Sequence, residues 1–328
     1  MERPVIELKN LKVTFRVSRR DKVTAIEDVS FAIDAGKTLG VVGESGCGKS
    51  VTANAILNLL PRGVGKIEQG EVLLNGTDLT KLPSAEMRKI RGGKISMIFQ
   101  EPMTSLNPVQ RIGDQLVEMY KAKKRMKKSV AWESATQMLE KVGIPSPAQR
   151  MKEYPYQLSG GMRQRVMIAM ALSSNPELLI ADEPTTALDV TIQAQVLELM
   201  KSLQREMNTA ILLITHDMGV VAETADYVMV MYAGEAVEYD SARAIFQTPL
   251  HPYTQGLLKS IPRKDQDVDE LYTIEGTVPA LTDMPAGCRF STRCPDRMER
   301  CLVEKPKLTM CGGRMVRCWK YVSGGVSE

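Results

Sequence analysis

Short apolar runs separated by polar breaks mark the first part of the chain. Runs of this length, bounded by glycine, asparagine and charged residues, predict β-strands rather than helices. Strands of an antiparallel layer are predicted at residues 5–8, 13–15 and 29–33, and further strands at 71–74 and 95–99. This part of the chain should therefore be mainly sheet.

A second pattern alternates wholly apolar runs with helical periodicity. Three apolar runs lack the polar alternation of half-exposed strands, so they should be buried on both faces. They cover residues 38–42, 178–181 and 210–214. Helical periodicity appears at 49–60, where Pro61 should end the helix, and at 162–172 and 191–207. Strands that alternate with helices predict an α/β fold with a parallel sheet.

The remaining segments predict a helical region, a hairpin and an irregular tail. From about Glu101 to Gln157 the pattern is helical and polar. Residues 227–239 predict a hairpin because Ala233-Gly234 interrupts an apolar run. After about Pro249, prolines and cysteines become frequent and long periodic segments disappear, so we expect a separate C-terminal extension.

Composition and charge narrow the class of protein. The 328 residues are 43% hydrophobic and 25% charged, and 43 basic against 39 acidic side chains give a net charge of +4, which does not indicate a dedicated nucleic-acid binder. The basic stretch from Lys121 to Lys128 could contact nucleic acid or lipid headgroups, but we favour a solvated helix face.

No apolar run approaches the roughly 18–20 residues of a membrane span, and the first residues lack the basic-then-apolar order of a signal peptide. We expect a cytosolic protein with any membrane role exercised through partners.

A glycine-rich loop follows the apolar run 38–42. Its sequence, Gly43-Glu-Ser-Gly-Cys-Gly-Lys-Ser50, matches the P-loop pattern after a strand and before a helix. Backbone N–H groups of such a loop surround phosphates, Lys49 reaches the β- and γ-phosphates, and Ser50 supplies a ligand to Mg²⁺. Cys47 is expected to be structurally neutral. The predicted nucleotide contacts are Gly43, Ser45, Gly46, Cys47, Gly48, Lys49, Ser50 and Val51.

An acidic pair ends the apolar run 178–181. Asp182 stands at the carboxyl end of the predicted strand, where open α/β sheets bind ligands, and can hold the Mg²⁺ shell. Glu183 follows directly and can orient or deprotonate the attacking water. With the P-loop, this pair predicts an ATP-hydrolysing site.

The segment Leu158-Ser-Gly-Gly-Met-Arg-Gln-Arg165 resembles the signature sequence of ABC ATPases. Ser159 is a good N-cap, and the amides after it form an anion-receptive helix start. The resemblance implies that Ser159, Gly160 and Gly161 face the ATP held by a second subunit in a head-to-tail dimer. It also implies that Gln100 is the Q-loop glutamine that contacts metal and γ-phosphate, that Ala187-Leu188-Asp189 is the D-loop, and that His216 is the switch histidine. Phe15 would be the aromatic that stacks on adenine, with a place in the core as its alternative.

The resemblance implies a particular architecture. The fold would be a P-loop NTPase core of RecA-like type with an antiparallel β subdomain and a helical subdomain at about 101–160. The ABC ATPase domain would cover residues 1–250, and a small irregular metal-binding extension would cover 251–328.

Five of the six cysteines lie between Cys288 and Cys318, the other being Cys47. In a cytosolic protein this cluster favours metal binding over disulfides, and thiolates suit either zinc or an iron–sulfur cluster, while buried free thiols remain an alternative. Arg293 and Arg297, within this region, are expected to be solvated.

The tail extends the resemblance to one branch of the family. His251-Pro-Tyr-Thr-Gln-Gly-Leu-Leu258 and the cysteines are similar to the end of D-type ATPases in the oligopeptide/dipeptide and nickel importer family. This implies a [4Fe–4S] cluster, with Zn²⁺ as the alternative, on Cys288, Cys294, Cys301 and Cys318. Cys311 departs from the pattern and competes with Cys318 as fourth ligand.

The same resemblance implies function and partners. The chain would hydrolyse ATP to power import of di- or oligopeptides, with nickel or another small solute as the alternative cargo. Its partners would be two transmembrane permease subunits, a second ATPase and an extracytoplasmic solute-binding protein, without nucleic acid. The second ATPase would be an F-type subunit, with a second copy of this chain as the alternative. It would lie peripherally on the cytoplasmic face of the inner membrane.

Overall fold

The computed structural model describes residues 3–18, 21–99, 106–124, 126–186, 188–261 and 272–322. Gln100 and Ala187, two residues of the predicted nucleotide site, lie outside the described residues. The described residues form the following strands: β1 (Ile6–Arg16), β2 (Lys22–Ile33), β3 (Thr38–Val42), β4 (Gly65–Leu74), β5 (Thr77–Asp78), β6 (Ile95–Ile98), β7 (Leu178–Asp182), β8 (Ala210–Ile214), β9 (Tyr227–Tyr232), β10 (Glu235–Ser241), β11 (Thr309–Cys311) and β12 (Arg314–Val316).

The helices of the described residues are mostly short. They are α1 (Lys49–Ile56), α2 (Ser84–Ile90), α3 (Ile112–Lys124), α4 (Lys128–Lys141), α5 (Pro147–Arg150), α6 (Gly160–Leu172), α7 (Val190–Met207), α8 (Met218–Thr224), α9 (Ala242–Gln247), α10 (Pro252–Lys259) and α11 (Arg300–Val303). Single 3₁₀ turns are found at Leu79–Lys81, Pro155–Gln157 and Trp319–Tyr321.

The first of two compact units comprises Met1–Ile6, Ile33–Thr38 and Lys81–Ile214. Its sheet is parallel: β6 pairs with β7, and β7 pairs with β8 in the register Asp182↔Ile214. Every residue of β7 and β8 is buried, as the unbroken apolar runs predict for strands covered on both faces. The helical region is confirmed in α3, α4 and α5, where Ala131, Ala135 and Leu139 line the buried face of α4.

The second unit comprises Glu7–Ala32, Leu39–Thr80 and Thr215–Glu328. One sheet has the strand order β2-β1-β4-β5, and its β4–β5 pair is antiparallel. In the other sheet β3 pairs in parallel with β9, and β9 and β10 form the predicted antiparallel hairpin. The tail adds β12 to the edge of β10, pairing Glu238 with Val316, and β11 pairs with β12. The tail is therefore built into this sheet.

The strands predicted at 29–33 and 71–74 are the ends of the longer strands β2 and β4, and two more predicted elements also differ from the structure. The strands predicted at 5–8 and 13–15 are one strand, β1. Its polar break contains a local irregularity, in which Asn10 adopts a left-handed φ of 48° and its N–H bonds to Ser30 Oγ at 2.8 Å. The helix predicted at 49–60 ends at Ile56 rather than at Pro61. Asn58 adopts φ 51°, and the N–H of Leu59 bonds to the carbonyl of Asn54 at 2.8 Å, as in a Schellman ending.

Candidate nucleotide site

The loop between β3 and α1 has the backbone of a phosphate-binding loop. Gly43 adopts φ 149°, and a Cβ there would lie 2.2 Å from the carbonyl oxygen of Met231. Gly48, at φ 104°, occupies the N-cap position of α1, where its left-handed conformation is unfavourable for any other residue. These two glycines explain why the motif requires glycine at its ends. The loop thus opens into the N-terminus of α1, a natural anion site.

Lys49 is held inside the loop. Its side chain is buried, and its ammonium donates hydrogen bonds to the carbonyl oxygens of Gly43 at 2.7 Å and Glu44 at 3.1 Å. Ser45, Gly46 and Ser50 are exposed on the same loop, and Val51 is half-buried. The positive charge thus lies within a loop whose other polar groups remain accessible to a ligand.

Cys47 is buried with its sulfur 3.8 Å from the Lys49 ammonium. Burial raises the pKa of its thiol, so the side chain stays neutral near pH 7. It fills space beneath the loop, since a Cβ on Gly43 would lie 2.8 Å from its sulfur.

The acidic pair lies at the carboxyl end of β7 in the first unit. Asp182 is buried, and the N–H of Glu183 bonds to the carbonyl oxygen of Ile214 at 2.8 Å. Glu183 adopts φ 48°, a conformation that L-residues rarely occupy, and its carboxylate accepts a hydrogen bond from Thr186 Oγ1 at 2.9 Å. Backbone strain of this kind concentrates at functional sites, which fits the role predicted for Glu183.

The signature segment begins α6 as its sequence predicts. Ser159 is the N-cap, and its hydroxyl accepts a hydrogen bond from the N–H of Met162 at 3.3 Å. Gln164, which the sequence did not single out, is buried on α6 and its amide donates to the carbonyl oxygen of Pro184. Because Pro184 follows Glu183, this bond ties the signature helix to the end of β7.

The other predicted nucleotide residues fall at element ends. Asp189 caps α7, its carboxylate accepting from the N–H of Ile192 at 2.9 Å. His216 is exposed just beyond β8, next to Thr215, whose N–H bonds to the carbonyl oxygen of Val41 at 3.2 Å. Phe15 is half-buried on β1, where a Cβ on Gly65 would lie 2.9 Å from its ring.

The structure contradicts the prediction that Arg293 is solvated. Its side chain is only 5% exposed instead of solvated, and its guanidinium forms an ion pair with Glu44, the second residue of the P-loop. The N–H of Glu44 donates to the hydroxyl of Tyr253 on α10 at 3.0 Å. The sequence analysis assigned no contact to Glu44 or Tyr253, although both lie in motifs that it identified, and it placed Arg293 in solvent.

Two of the four proposed ligands, Cys288 and Cys294, pack against the same buried cluster, which contains Phe290. The N–H of Cys288 bonds to the carbonyl oxygen of Cys301 at 2.8 Å. Burial raises the pKa of Cys288 to about 12 and that of Cys294 to about 11. Within the described ranges, no three or more His, Cys, Asp or Glu side chains lie close enough together to hold one metal ion.

Cys311, the competing fourth ligand, belongs to the short β11–β12 hairpin of the tail. It ends β11, where it pairs with Arg314 across the β11–β12 hairpin.

The described side chains of the basic stretch behave as a solvated face, since Lys121, Lys127 and Lys128 are exposed. In the part of the chain that the structure describes, no helix has both the length and the apolar character needed to span a bilayer.

The parallel strands and the loop at residues 43–50 define a P-loop nucleotide-binding protein. A family model described as "ABC transporter" matches residues 26–186, and one described as "Oligopeptide/dipeptide transporter, C-terminal region" matches residues 237–301. The ATP-binding cassette MJ0796, solved as a dimer in a post-hydrolysis state bound to ADP and Pi, has a TM-score of 0.65 and 29% identity, covering 73% of this chain and 99% of that one.

Relatives match over nearly the whole chain. The oligopeptide transport ATP-binding protein AppD of Bacillus subtilis (strain 168) is 53% identical over 99% of each chain. OppD of Salmonella typhimurium, also an oligopeptide transport ATP-binding protein, is 51% identical over 97% of this chain and 94% of its own. The dipeptide transport ATP-binding protein DppD of Bacillus subtilis is 51% identical over 96% and 94%. The chain belongs to this family of ABC transporter ATP-binding proteins and is an ABC ATPase.

Proposed function

We propose that this chain hydrolyses ATP to power the import of di- or oligopeptides through an ABC transporter. The similarity to AppD, OppD and DppD carries the proposal, because it covers both the nucleotide-binding region and the tail.

We also propose that residues 1–250 form the ABC ATPase domain, with the helical subdomain at about 101–160, and that 251–328 form the importer-specific extension.

The proposed site assigns a role to each predicted residue. Lys49 and the amides of residues 43–51 bind the phosphates, and Phe15 stacks on adenine. Ser50, Gln100 and Asp182 would hold Mg²⁺, which neutralises phosphate charge when bound. Glu183 activates the attacking water, while His216 and Gln100 contact the γ-phosphate. The buried positive charge of Lys49 and the strained backbone of Glu183 support these roles.

We propose that each ATP is bound between two ATPase subunits. Ser159, Gly160, Gly161 and Asp189 would contact the nucleotide of that partner in a head-to-tail dimer. The capped start of α6 supports this, because its N–H groups form an anion site distinct from the P-loop. We propose an F-type partner, two membrane permease subunits and an extracytoplasmic solute-binding protein, with this subunit peripheral at the cytoplasmic face of the inner membrane.

Four tail cysteines have the chemistry to hold a [4Fe–4S] cluster. Cys288, Cys294, Cys301 and Cys318 supply four soft sulfur ligands from different segments. Thiols with raised pKa values are costly to ionise in a buried place, and bound cationic iron would offset that cost. Thiolates suit zinc as well, so Zn²⁺ is the alternative occupant of the same four side chains.

We expect the chain purified without oxygen to be brown and to contain iron and acid-labile sulfide. Cys318→Ser should lose most of the iron, because it removes one of four ligands. Cys311→Ser is the matched control and should retain it. Measurement of iron, sulfide and zinc per chain tests this. Stoichiometric zinc without sulfide, or iron loss in Cys311→Ser but not in Cys318→Ser, would contradict the proposed ligand set.

Uptake measurements in the native host test the proposed cargo. A strain lacking this chain should fail to take up labelled di- or oligopeptides and should take up nickel normally. Restoring the wild-type chain should restore peptide uptake. If nickel uptake alone fails, the cargo assignment is wrong and the alternative cargo holds. If uptake of both is normal, the peptide-import proposal is contradicted for that host.

A further inference from the structure

The tail holds the second residue of the P-loop by both its main chain and its side chain. The N–H of Glu44 donates to Tyr253, and its carboxylate receives two bonds from Arg293, at 2.8 Å to Oε2 and 3.1 Å to Oε1. A bidentate arginine–carboxylate pair fixes orientation as well as adding attraction. The carbonyl oxygen of Glu44 also accepts a bond from Lys49. Glu44 therefore connects the tail to the phosphate-binding lysine.

Arg293 is itself anchored. Its Nε donates to the carbonyl oxygen of Glu275 at 2.9 Å, and its Nη2 donates to that of Ile274 at 3.1 Å. The guanidinium carbon lies 5.8 Å from the centre of the Tyr232 ring, within range of a cation–π contact. With its planar group bonded on several sides and almost wholly buried, Arg293 presents one fixed position to Glu44.

A second arginine, Arg289, is connected to a different part of the P-loop. Arg289 is buried, donates to the carbonyl oxygen of Ala233 and pairs with Glu27 and Glu235. The next residue, Gly234, donates its N–H to the carbonyl oxygen of Cys47 at 2.9 Å. Segment 288–294 thus supports the P-loop directly at Glu44 and, through residues 233–234, at Cys47.

The contacts that hold the P-loop at Glu44 and Cys47 should raise its affinity for ATP. A loop must point several N–H groups at the phosphates, and a loop already held in that shape loses less conformational entropy when it binds. Two of the proposed cluster ligands, Cys288 and Cys294, are the end residues of the same segment. Arg293, which binds Glu44, therefore lies between two proposed cluster ligands in the sequence.

We propose that segment 288–294 is a positioning element of the nucleotide site, in which Arg293, aided by Tyr253, holds the P-loop ready for ATP. The inference rests on the proposed role of residues 43–50 in binding ATP. It makes the tail a determinant of ATP affinity, in addition to any role in assembly.

The test compares ATP binding by the purified full-length chain and its variants. Arg293→Gln is expected to raise the Kd and the KM for ATP about tenfold and to leave kcat at saturating ATP nearly unchanged. Arg293→Lys should recover part of the affinity. Glu44→Gln should match Arg293→Gln, and the double variant should be no weaker than either single one. Arg297→Gln, an exposed arginine of the same region, is the control and should bind like wild type.

Two results overturn the positioning role. In the first, Arg293→Gln lowers the unfolding temperature but binds ATP like wild type. In the second, the effects of the two single variants add in the double variant. The Lys49→Ala variant distinguishes failure of the positioning role from failure of the proposed ATP site. If Lys49→Ala abolishes binding while Arg293→Gln does not weaken it, only the positioning role is wrong. If Lys49→Ala binds like wild type, the assigned ATP site is wrong as well.

Discussion

Replacing Glu183 by glutamine is expected to slow ATP hydrolysis by about 100-fold or more and to leave ATP binding intact, because a positioned general base contributes at least that factor. Glutamine keeps the size of the side chain and can still accept a bond from Thr186. It removes the charge that would take a proton from water. Steady-state phosphate release and nucleotide-binding titrations on the same preparation measure the two effects separately.

Glu177→Gln is the matched control for this prediction. Glu177 directly precedes β7, whereas Glu183 directly follows it, and Glu177 forms an ion pair with Lys94 at 3.2 Å. Exposed pairs of this kind contribute little, so hydrolysis should stay near the wild-type rate. Equal loss of hydrolysis in both variants, or none in Glu183→Gln, would remove Glu183 from its assigned role.

Replacing Lys49 by alanine should weaken ATP binding about 100-fold, since the proposed contact between its ammonium and the phosphates is lost. The carbonyl oxygens of Gly43 and Glu44 also lose their donor, so the loop should become less ordered. Titration with a fluorescent ATP analogue measures the loss. Binding within twofold of wild type would show that Lys49 does not contact phosphate.

Lys66→Ala controls for the removal of one positive charge. Lys66 is exposed on β4 and pairs with Glu68 at 2.9 Å, away from the loop in sequence. Its replacement should leave ATP affinity unchanged at ordinary salt. A similar loss in both variants would indicate a general electrostatic effect rather than a contact within the loop.

The local parts of the site could be predicted from the sequence because each depends on neighbouring residues. The P-loop needs glycine where φ is positive and a lysine at the start of a helix, and both requirements are written in consecutive residues. Ser159 as an N-cap is local in the same way. The buried strands β7 and β8 are visible as unbroken apolar runs.

Other features depend on partners far away in the sequence. Arg293 looks like a surface arginine until its partner, 249 residues earlier, is known. The pairing of β12 with β10 is equally remote, and strands as short as β11 and β12 carry little periodicity. The early end of α1 is different, because Asn58 provided a local signal that Pro61 obscured.

Peptide uptake by host cells carrying single-residue variants tests the central claim, that hydrolysis at this site powers import. Labelled di- and oligopeptides would be supplied to a strain lacking the chain and complemented with wild type, Glu183→Gln or Glu177→Gln at equal protein levels. The account predicts normal uptake with wild type and Glu177→Gln, and almost none with Glu183→Gln. Wild-type uptake in the Glu183→Gln strain, when that variant no longer hydrolyses ATP, would contradict it.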